Sequence, residues 1–227
     1  MLKIYGVPIS VHTRKVIVTA IEKKLGYENE PVIPFNPPAG WDKLSPTGKI
    51  PVVADGDLVL RDSSVICAWL ERVHPARALY PADARNFAQA LWFEEYADGT
   101  VFRDVVHGLF FQKVIRPNIL KQATDAAAVT AILDEALPRV FRYLDGALDS
   151  EYLVAGTFGI ADIATVSNLI NFRYLGYGID AGRYPALAAY FDRCMRQPSI
   201  ETAVRAEQPV AASMGLDQSF ARKLVAG

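Results

Sequence analysis

An Asp-Gly pair at residues 55 and 56 sets the strongest limit on how the first third of this chain folds. Strand-forming residues flank the pair, IPVVA at residues 50–54 and DLVL at residues 57–60. Asp-Gly between two such runs is a strong hairpin signal, because glycine accepts the positive φ that a tight hairpin turn requires. The sequence therefore predicts an antiparallel pair of strands in this region.

A strand, a helix and a second strand are expected before the hairpin. Residues 2–5 predict a strand, and the spacing of apolar residues predicts a helix over residues 12–25, which Gly26 ends. A second strand is expected over residues 27–33, and the proline-rich residues 34–40 are expected to form a loop. With a closing helix from Asp62-Ser63, the order β-α-β-loop-β-β-α predicts one small mixed α/β domain.

The rest of the chain has helical periodicity. Residues 74–83 contain two prolines and no clear period, which is typical of a linker. The expected helices cover residues 85–116, 125–148, 160–175 and 185–196, with Pro117 ending or kinking the first and Pro138 kinking the second. The third is apolar on every side and is expected to be buried all round. The sequence thus predicts an α/β domain over residues 1–80 and an all-helical domain over residues 85–227.

Composition argues against several classes of protein. The formal net charge is −1, so the basic surplus of a nucleic-acid-binding protein is missing. The two cysteines, Cys67 and Cys194, form no CxxC or Cys/His zinc spacing, so we expect buried reduced thiols and no metal. No apolar run approaches the roughly 20 residues that span a bilayer, and the N-terminus resembles no signal peptide. We therefore expect a soluble cytoplasmic protein without nucleic-acid or membrane partners.

Ser10 lies between the first strand and the first helix. Unpaired N–H groups and the helix dipole favour negative charge at such a junction, and a hydroxyl there can donate a hydrogen bond to a thiolate. The local pattern alone favours a simpler role, in which Ser10 caps the helix. Both roles stay open at this level.

Two further motifs are ambiguous when taken singly. A cis peptide bond before Pro51 would expose the Ile50 backbone to an extended peptide, but only about 5–6% of such bonds in folded proteins are cis. Asp62-Ser63 begins a helix, where a serine can bind a carboxylate and an aspartate an ammonium group. A plain helix cap is the better interpretation of Asp62-Ser63 alone.

The order and spacing of these motifs resemble the cytosolic glutathione S-transferase superfamily over nearly the whole chain. Residues 10–16 (SVHTRKV) and 48–51 (GKIP) are similar to its serine-type classes, phi and bacterial members in particular, and Asp62-Ser63 matches its acidic-plus-serine motif. The resemblance implies a thioredoxin-like N-terminal domain, an all-α C-terminal domain, and glutathione as co-substrate. Residues 158–163 look like the family's buried helix-capping box, with Gly159 where the family has serine or threonine and Asp162 reaching back to the cap.

The resemblance also implies roles for individual residues. Ser10 would activate the glutathione thiol. The other glutathione-binding positions would be Lys49 near the peptide backbone or a carboxylate, Ile50-Pro51 beside the cysteinyl part, and Asp62 and Ser63 at the γ-glutamyl end. Asn36, Trp41 and Lys43 are available for the glycyl end, without a choice among them.

A hydrophobic electrophile would bind between the domains, against the long helix that follows the linker. The pocket residues expected there are His12, Phe102, Val106, His107 and Phe110. An aromatic wall suits apolar ligands, although several of these side chains can equally belong to the core. His107 resembles a histidine of the beta-class enzymes, while a structural role is the commoner one for a single helix histidine.

Conjugation of glutathione to a hydrophobic electrophile is the leading function that the resemblance implies. The alternatives are a glutathione-dependent isomerase, dehalogenase or peroxidase, and a non-catalytic binding protein with the same fold. Thiol–disulfide exchange is disfavoured because Ser10 cannot form a mixed disulfide. The family layout further implies a homodimer that pairs the first domain of one subunit with the second domain of the other.

Overall fold

A computed structural model describes residues 1–221 as a four-stranded sheet followed by helices. The strands are β1 (Leu2–Tyr5), β2 (Tyr27–Glu30), β3 (Val52–Asp55) and β4 (Leu58–Arg61). Their order in the sheet is β2-β1-β3-β4. β1 and β2 are parallel, with Leu2 opposite Tyr27, whereas β3 is antiparallel to both β1 and β4. The hairpin and the mixed α/β fold predicted from the sequence are thereby confirmed.

Eight helical stretches can be distinguished in residues 1–221. They are α1 (Val11–Glu22), α2 (Trp41–Leu44), α3 (Ser63–Val73), α4 (residues 84–119), α5 (residues 126–147), α6 (Ile160–Tyr174), α7 (Pro185–Met195) and α8 (Pro198–Ser213). The sequence interpretation missed α2 and α8 and placed the end of α1 three residues too late. α1 stops at Glu22, and Lys24 then takes a left-handed conformation (φ 55°), so the chain has already turned before Gly26.

The two long helices contain stretches with π-type hydrogen bonding. In α4 these are Ala97–His107 and Phe111–Ile119, and in α5 the stretch is Ile132–Ala136. Pro117 lies inside the second of these stretches, and α4 continues past it to Ile119, so the proline does not end the helix where the sequence indicated. Widened turns already depart from the i→i−4 ladder, which is one way a helix can accommodate a proline.

α6 lies at the centre of the helical region, and 14 of its 15 residues are buried, as expected from its apolar sequence. It packs against α1 of the first domain and against α4. The division of the chain into domains 1–80 and 85–227 stays a prediction. In the described residues the strands all precede residue 62, and only helices follow α3.

The N-terminus of α6 explains the glycine in the expected capping box. The Asp162 carboxylate accepts hydrogen bonds from the Gly159 amide (2.9 Å), the Leu153 amide (3.0 Å) and the Tyr190 hydroxyl (3.0 Å). Burial raises the pKa of Asp162 to about 6, although these donors oppose the rise. A Cβ at Gly159 would lie 2.7 Å from the Leu79 carbonyl oxygen, which itself accepts from the Ile160 amide at 2.9 Å. The linker backbone therefore occupies the space that a serine or threonine side chain needs.

Candidate active site

Ser10 is the N-cap residue of α1, but its side chain makes no capping hydrogen bond. Its backbone is fixed on both sides: the Ser10 amide donates to the Val7 carbonyl (3.1 Å), and the Ser10 carbonyl accepts from the Arg14 amide (2.8 Å). The side chain is half-buried. The hydroxyl thus lies at the positive end of a helix without being used to cap it, which leaves it free to donate to a ligand.

Gly6 allows the chain to turn from β1 towards Ser10. Its φ is +153°, and a Cβ there would lie 2.4 Å from the Thr13 hydroxyl oxygen and 3.3 Å from Cβ of Ile50. Only glycine lets β1, the start of α1 and the segment before β3 approach this closely. Gly6 therefore brings the Ser10 and Ile50 segments together.

The Ile50–Pro51 peptide bond is cis, although its base rate favours trans. Pro51 is buried and Ile50 is half-buried. Ile50 precedes the residues of β3 that pair in the sheet. Its amide and carbonyl form no other backbone hydrogen bond within residues 1–221. Lys49 is exposed. This edge therefore presents an unpaired backbone donor and acceptor beside a basic side chain.

Asp62 and Ser63 begin α3 with different roles. Asp62 is exposed with φ 72°, and its carboxylate accepts from the amides of Ser64 (2.9 Å) and Val65 (3.3 Å). Asp62 is therefore a helix cap, whatever else it does. Ser63 is buried, and its hydroxyl lies 3.5 Å from an Asp98 oxygen of α4. Positive φ in a residue other than glycine is uncommon and often marks a ligand-binding turn.

Charged side chains that the sequence interpretation missed lie behind Ser63. Lys15 of α1 donates to Glu94 at 3.0 Å and also to Asp98, while Asp98 contacts the His12 ring at 3.5 Å. Burial lowers the pKa of Lys15, but Asp98 and Glu94 outweigh it and hold that pKa above its usual value. Burial raises the pKa of Asp98, yet Lys15 and His12 lower it to about 2. The available signal was the pair of adjacent basic residues Arg14 and Lys15, both of which are buried in α1.

Three of the predicted pocket residues are in ring contact. The His12 ring lies edge-on to Phe102 with centroids 4.6 Å apart, and Phe102 lies 5.4 Å from His107. Val106 has only 2% of its surface exposed and belongs to the core, and Phe110 packs against the same core. The structure thus places His12, Phe102 and His107 together beside the Ser10 turn, and Val106 within the packed interior.

Two other residues considered in the sequence are structural. Trp41 is buried in a small cluster with Val32 and Val52, and its indole N–H donates to the Gly48 carbonyl at 3.3 Å. Cys67 is fully buried, and burial raises the pKa of its thiol to about 12. Neither side chain is accessible to a ligand in this structure.

Within residues 1–221, no helix is long and apolar enough to cross a membrane.

The order of the strands in the sheet and the helices that follow define a two-domain protein with a thioredoxin-like first domain. Comparison with known families places the chain more closely. Residues 4–78 match the family "Glutathione S-transferase, N-terminal domain", and residues 102–198 match "Glutathione S-transferase, C-terminal domain". The chain belongs to the glutathione S-transferase family of enzymes, which confirms the resemblance described above.

Individual relatives agree with this assignment. A glutathione S-transferase of Hyoscyamus muticus is 33% identical over 71% of this chain and 78% of its own length. One of Triticum aestivum is 27% identical over 92% of this chain and 96% of its own. The crystal structure of a glutathione S-transferase from Rhodospirillum rubrum superposes with a TM-score of 0.82 at 24% identity, covering 90% of this chain and 92% of that one. That last similarity concerns the fold alone.

Proposed function

We propose that this glutathione S-transferase activates the thiol of glutathione with Ser10 and transfers the thiolate to a hydrophobic electrophile. The observation that carries the proposal is the Ser10 side chain, which occupies the N-cap position of α1 without a capping hydrogen bond. In the reaction the thiol loses its proton to solvent, and the sulfur forms a bond to an electrophilic carbon. A leaving group then departs, or the adduct is protonated.

The required stabilisation is within the range of the groups available. Lowering the thiol pKa by about two units corresponds to about 2.7 kcal/mol and makes the acid dissociation constant roughly a hundredfold larger, so that the thiolate becomes the major form near neutral pH. A hydrogen bond to a charged acceptor contributes about 1.5–3 kcal/mol, and a helix N-terminus adds about 0.3–1 kcal/mol. The Ser10 hydroxyl and the α1 terminus together are therefore sufficient.

The rest of glutathione is proposed to lie along the edge formed by β3 and α3. The unpaired Ile50 backbone beside Pro51 suits the cysteinyl part, as in other proteins that bind extended peptides. Exposed Lys49 suits a carboxylate, and Asp62 with the first turn of α3 suits the γ-glutamyl end. The electrophile is placed against His12, Phe102 and His107, whose rings form the apolar wall. These contacts would orient glutathione and the electrophile, whereas Ser10 would activate the thiol.

The test of Ser10 is a titration of enzyme-bound glutathione, followed by the ultraviolet absorbance of the thiolate. Ser10→Ala should raise the thiol pKa by about one to two units, since the helix terminus remains, and lower kcat with an activated aryl halide, while glutathione affinity is kept. Ser199→Ala is the matched control, since Ser199 lies in the first turn of α8 with a buried hydroxyl that has no partner in the described structure. An unchanged pKa in Ser10→Ala would rule out Ser10 as the activator.

We also propose that the protein is a homodimer. In the first half of α4, Phe87 is 41%, Leu91 37% and Trp92 54% exposed, and the Trp92 indole donates to the Tyr143 hydroxyl of α5 at 2.6 Å. A patch of this kind on a helix surface is typical of an interface. Exposed Val65 of α3 supplies an apolar counterpart in the first domain, which fits the family's pairing of unlike domains.

Light scattering tests this arrangement. Trp92→Glu should convert the dimer to a monomer, because a buried unpaired charge is costly at an interface core. Ile119→Glu is the control, since Ile119 is 48% exposed at the far end of α4. A monomeric wild-type protein would refute the proposal.

No observation on this chain favours the isomerase, dehalogenase, peroxidase or non-catalytic alternatives. A cytoplasmic location remains part of the proposal, in keeping with two buried free thiols.

A further inference from the structure

The carbonyl of Ile9, directly before Ser10, is held by two side chains from inside the protein. The Asn171 amide of α6 donates to it at 3.1 Å, and the Arg14 guanidinium of α1 donates at 3.3 Å. Ile9 itself is 97% buried, with 3% exposed. Asn171 thus connects the helical part of the chain to the backbone directly before Ser10, whose hydroxyl is the proposed activator of glutathione.

Arg14 is in turn fixed almost completely by the helices that follow the linker. Its Nε lies 3.1 and 3.0 Å from the two Glu207 oxygens, its Nη2 lies 2.9 Å from Oε1, and its Nη1 donates to the Ser167 carbonyl at 2.7 Å. Tyr174 adds a hydrogen bond to Glu207 at 2.9 Å. A buried ion pair of this kind often adds little net stability, so its geometric effect matters more.

The Ile9 carbonyl and the Ser10 amide belong to the same planar peptide unit. Because that unit is rigid, holding the carbonyl oxygen fixes the plane from which the Ser10 Cα and side chain project. The Ser10 hydroxyl must meet the sulfur within hydrogen-bond distance, and a displacement of about 1 Å can cost a factor of a hundred in rate. The peptide plane is thus a means by which distant residues can act on Ser10.

The geometry points to Asn171 as a positioning residue for Ser10, acting together with Arg14 through the Ile9 carbonyl. This inference rests on the proposed role of Ser10. The orientation of the Asn171 amide supports it: its nitrogen faces the Ile9 carbonyl, while its buried oxygen has no partner in residues 1–221. Burying the Asn171 oxygen without a hydrogen bond lowers the free energy of unfolding. The side chain accepts this cost and keeps its nitrogen as the donor to the Ile9 carbonyl.

Asn168 provides a close control on the same helix. It is fully buried, its oxygen also has no partner in the described residues, and its nitrogen donates to the carbonyls of Ala97 and Ala164 at 3.2 and 3.1 Å. Both of those acceptors lie in the helical part, so Asn168 has no bond to the Ser10 turn. Asn168→Ala and Asn171→Ala remove the same group from similar surroundings and differ in that one connection.

The experiment is the thiolate titration of bound glutathione in both variants, together with their unfolding temperatures. Asn171→Ala should raise the thiol pKa by about one unit, which is a tenfold loss of thiolate at pH values well below the wild-type pKa, and should lower kcat/KM in proportion there. Asn168→Ala should leave the pKa unchanged at a comparable loss of stability. If Asn171→Ala does not fold, Asn171→Ser, whose hydroxyl is too short to reach Ile9, replaces it with the same expected shift.

A double-mutant cycle separates this inference from the proposed function. In the Ser10→Ala background, Asn171→Ala should produce no further change in the thiol pKa, because its effect passes through the Ser10 hydroxyl. An unchanged pKa in Ser10→Ala would overturn the proposed function. A raised pKa in Ser10→Ala with none in Asn171→Ala, or equal shifts in Asn171→Ala and Asn168→Ala, would overturn the positioning role alone.

Discussion

Replacing Gly159 by serine should destabilise the protein, although serine is the better helix cap. As an N-cap, serine is favoured over glycine by only a few tenths of a kcal/mol. Against this gain, a Cβ at residue 159 would lie 2.7 Å from the Leu79 carbonyl oxygen, which is backbone and cannot rotate away. That oxygen also accepts from the Ile160 amide, so moving it strains the bond between the linker and α6.

The expected net effect is a loss of about 1–2 kcal/mol, because overpacking costs about 1–3 kcal/mol. For a chain of this size that corresponds to a fall in Tm of roughly 2–8 °C. Urea unfolding followed by circular dichroism, with a second probe to check two-state behaviour, measures it. Gly159→Ala carries the same Cβ without a capping hydroxyl, so the order of stability should be wild type, then serine, then alanine.

Gly146 provides the control for the glycine substitution itself. It lies in the last segment of α5 with nothing within 4 Å of its Cβ position, so Gly146→Ala should stabilise by up to about 1 kcal/mol. A Gly159→Ser protein as stable as the wild type, or more stable, would refute the argument from the Leu79 carbonyl. Destabilisation of both Gly146→Ala and Gly159→Ser would show that glycine is needed for another reason.

Three further outcomes are expected. Lys15 and His12 hold the pKa of Asp98 at about 2, below its usual value, so the ionised carboxylate stabilises the fold by about 2 kcal/mol above about pH 4. Asp98→Asn should lose this stabilisation. The difference in unfolding free energy between the variant and the wild type should therefore close as the pH falls from 4 to 2. Cys67 should react with an aromatic disulfide reagent only at the rate of unfolding, because burial raises its thiol pKa to about 12; rapid labelling of the native protein would contradict this. Val106→Ala should cost about 2 kcal/mol of stability since the side chain is in the core, whereas the exposed His107→Ala should stay within about 0.5 kcal/mol in the same unfolding assay.

Local chemistry made the first domain readable from the sequence. The Asp55-Gly56 hairpin and the strand at residues 2–5 depend on neighbouring residues, and both are present. α8 was missed although a proline stands at its start and helix-forming residues follow. The short α2 was missed because four residues carry too little periodicity to separate them from a loop.

The candidate site also has features that the sequence predicted and features that only the structure shows. The order of motifs predicted Ser10, Ile50-Pro51 and Asp62-Ser63 as glutathione-site residues, and these roles stay a prediction. The structure adds that the Ser10 hydroxyl is not used as a cap. The cis bond at Pro51 could not be fixed by local preference, since the trans form has the higher base rate. Ring contact among His12, Phe102 and His107 depends on how α4 packs beside α1.

The sequence by itself determined the α/β character of the first domain, the helical second part and the family, because each rests on local periodicity or on motifs in order along the chain. Only the tertiary structure decided the partners of the buried charges. Lys15 and Arg14 are adjacent on α1, yet one meets Asp98 and Glu94 while the other meets Glu207. Coulombic pairing depends on distance in space rather than separation along the chain, so no sequence pattern could assign those pairs. For the same reason, the contact from Asn171 to the Ile9 carbonyl became visible only in the folded molecule.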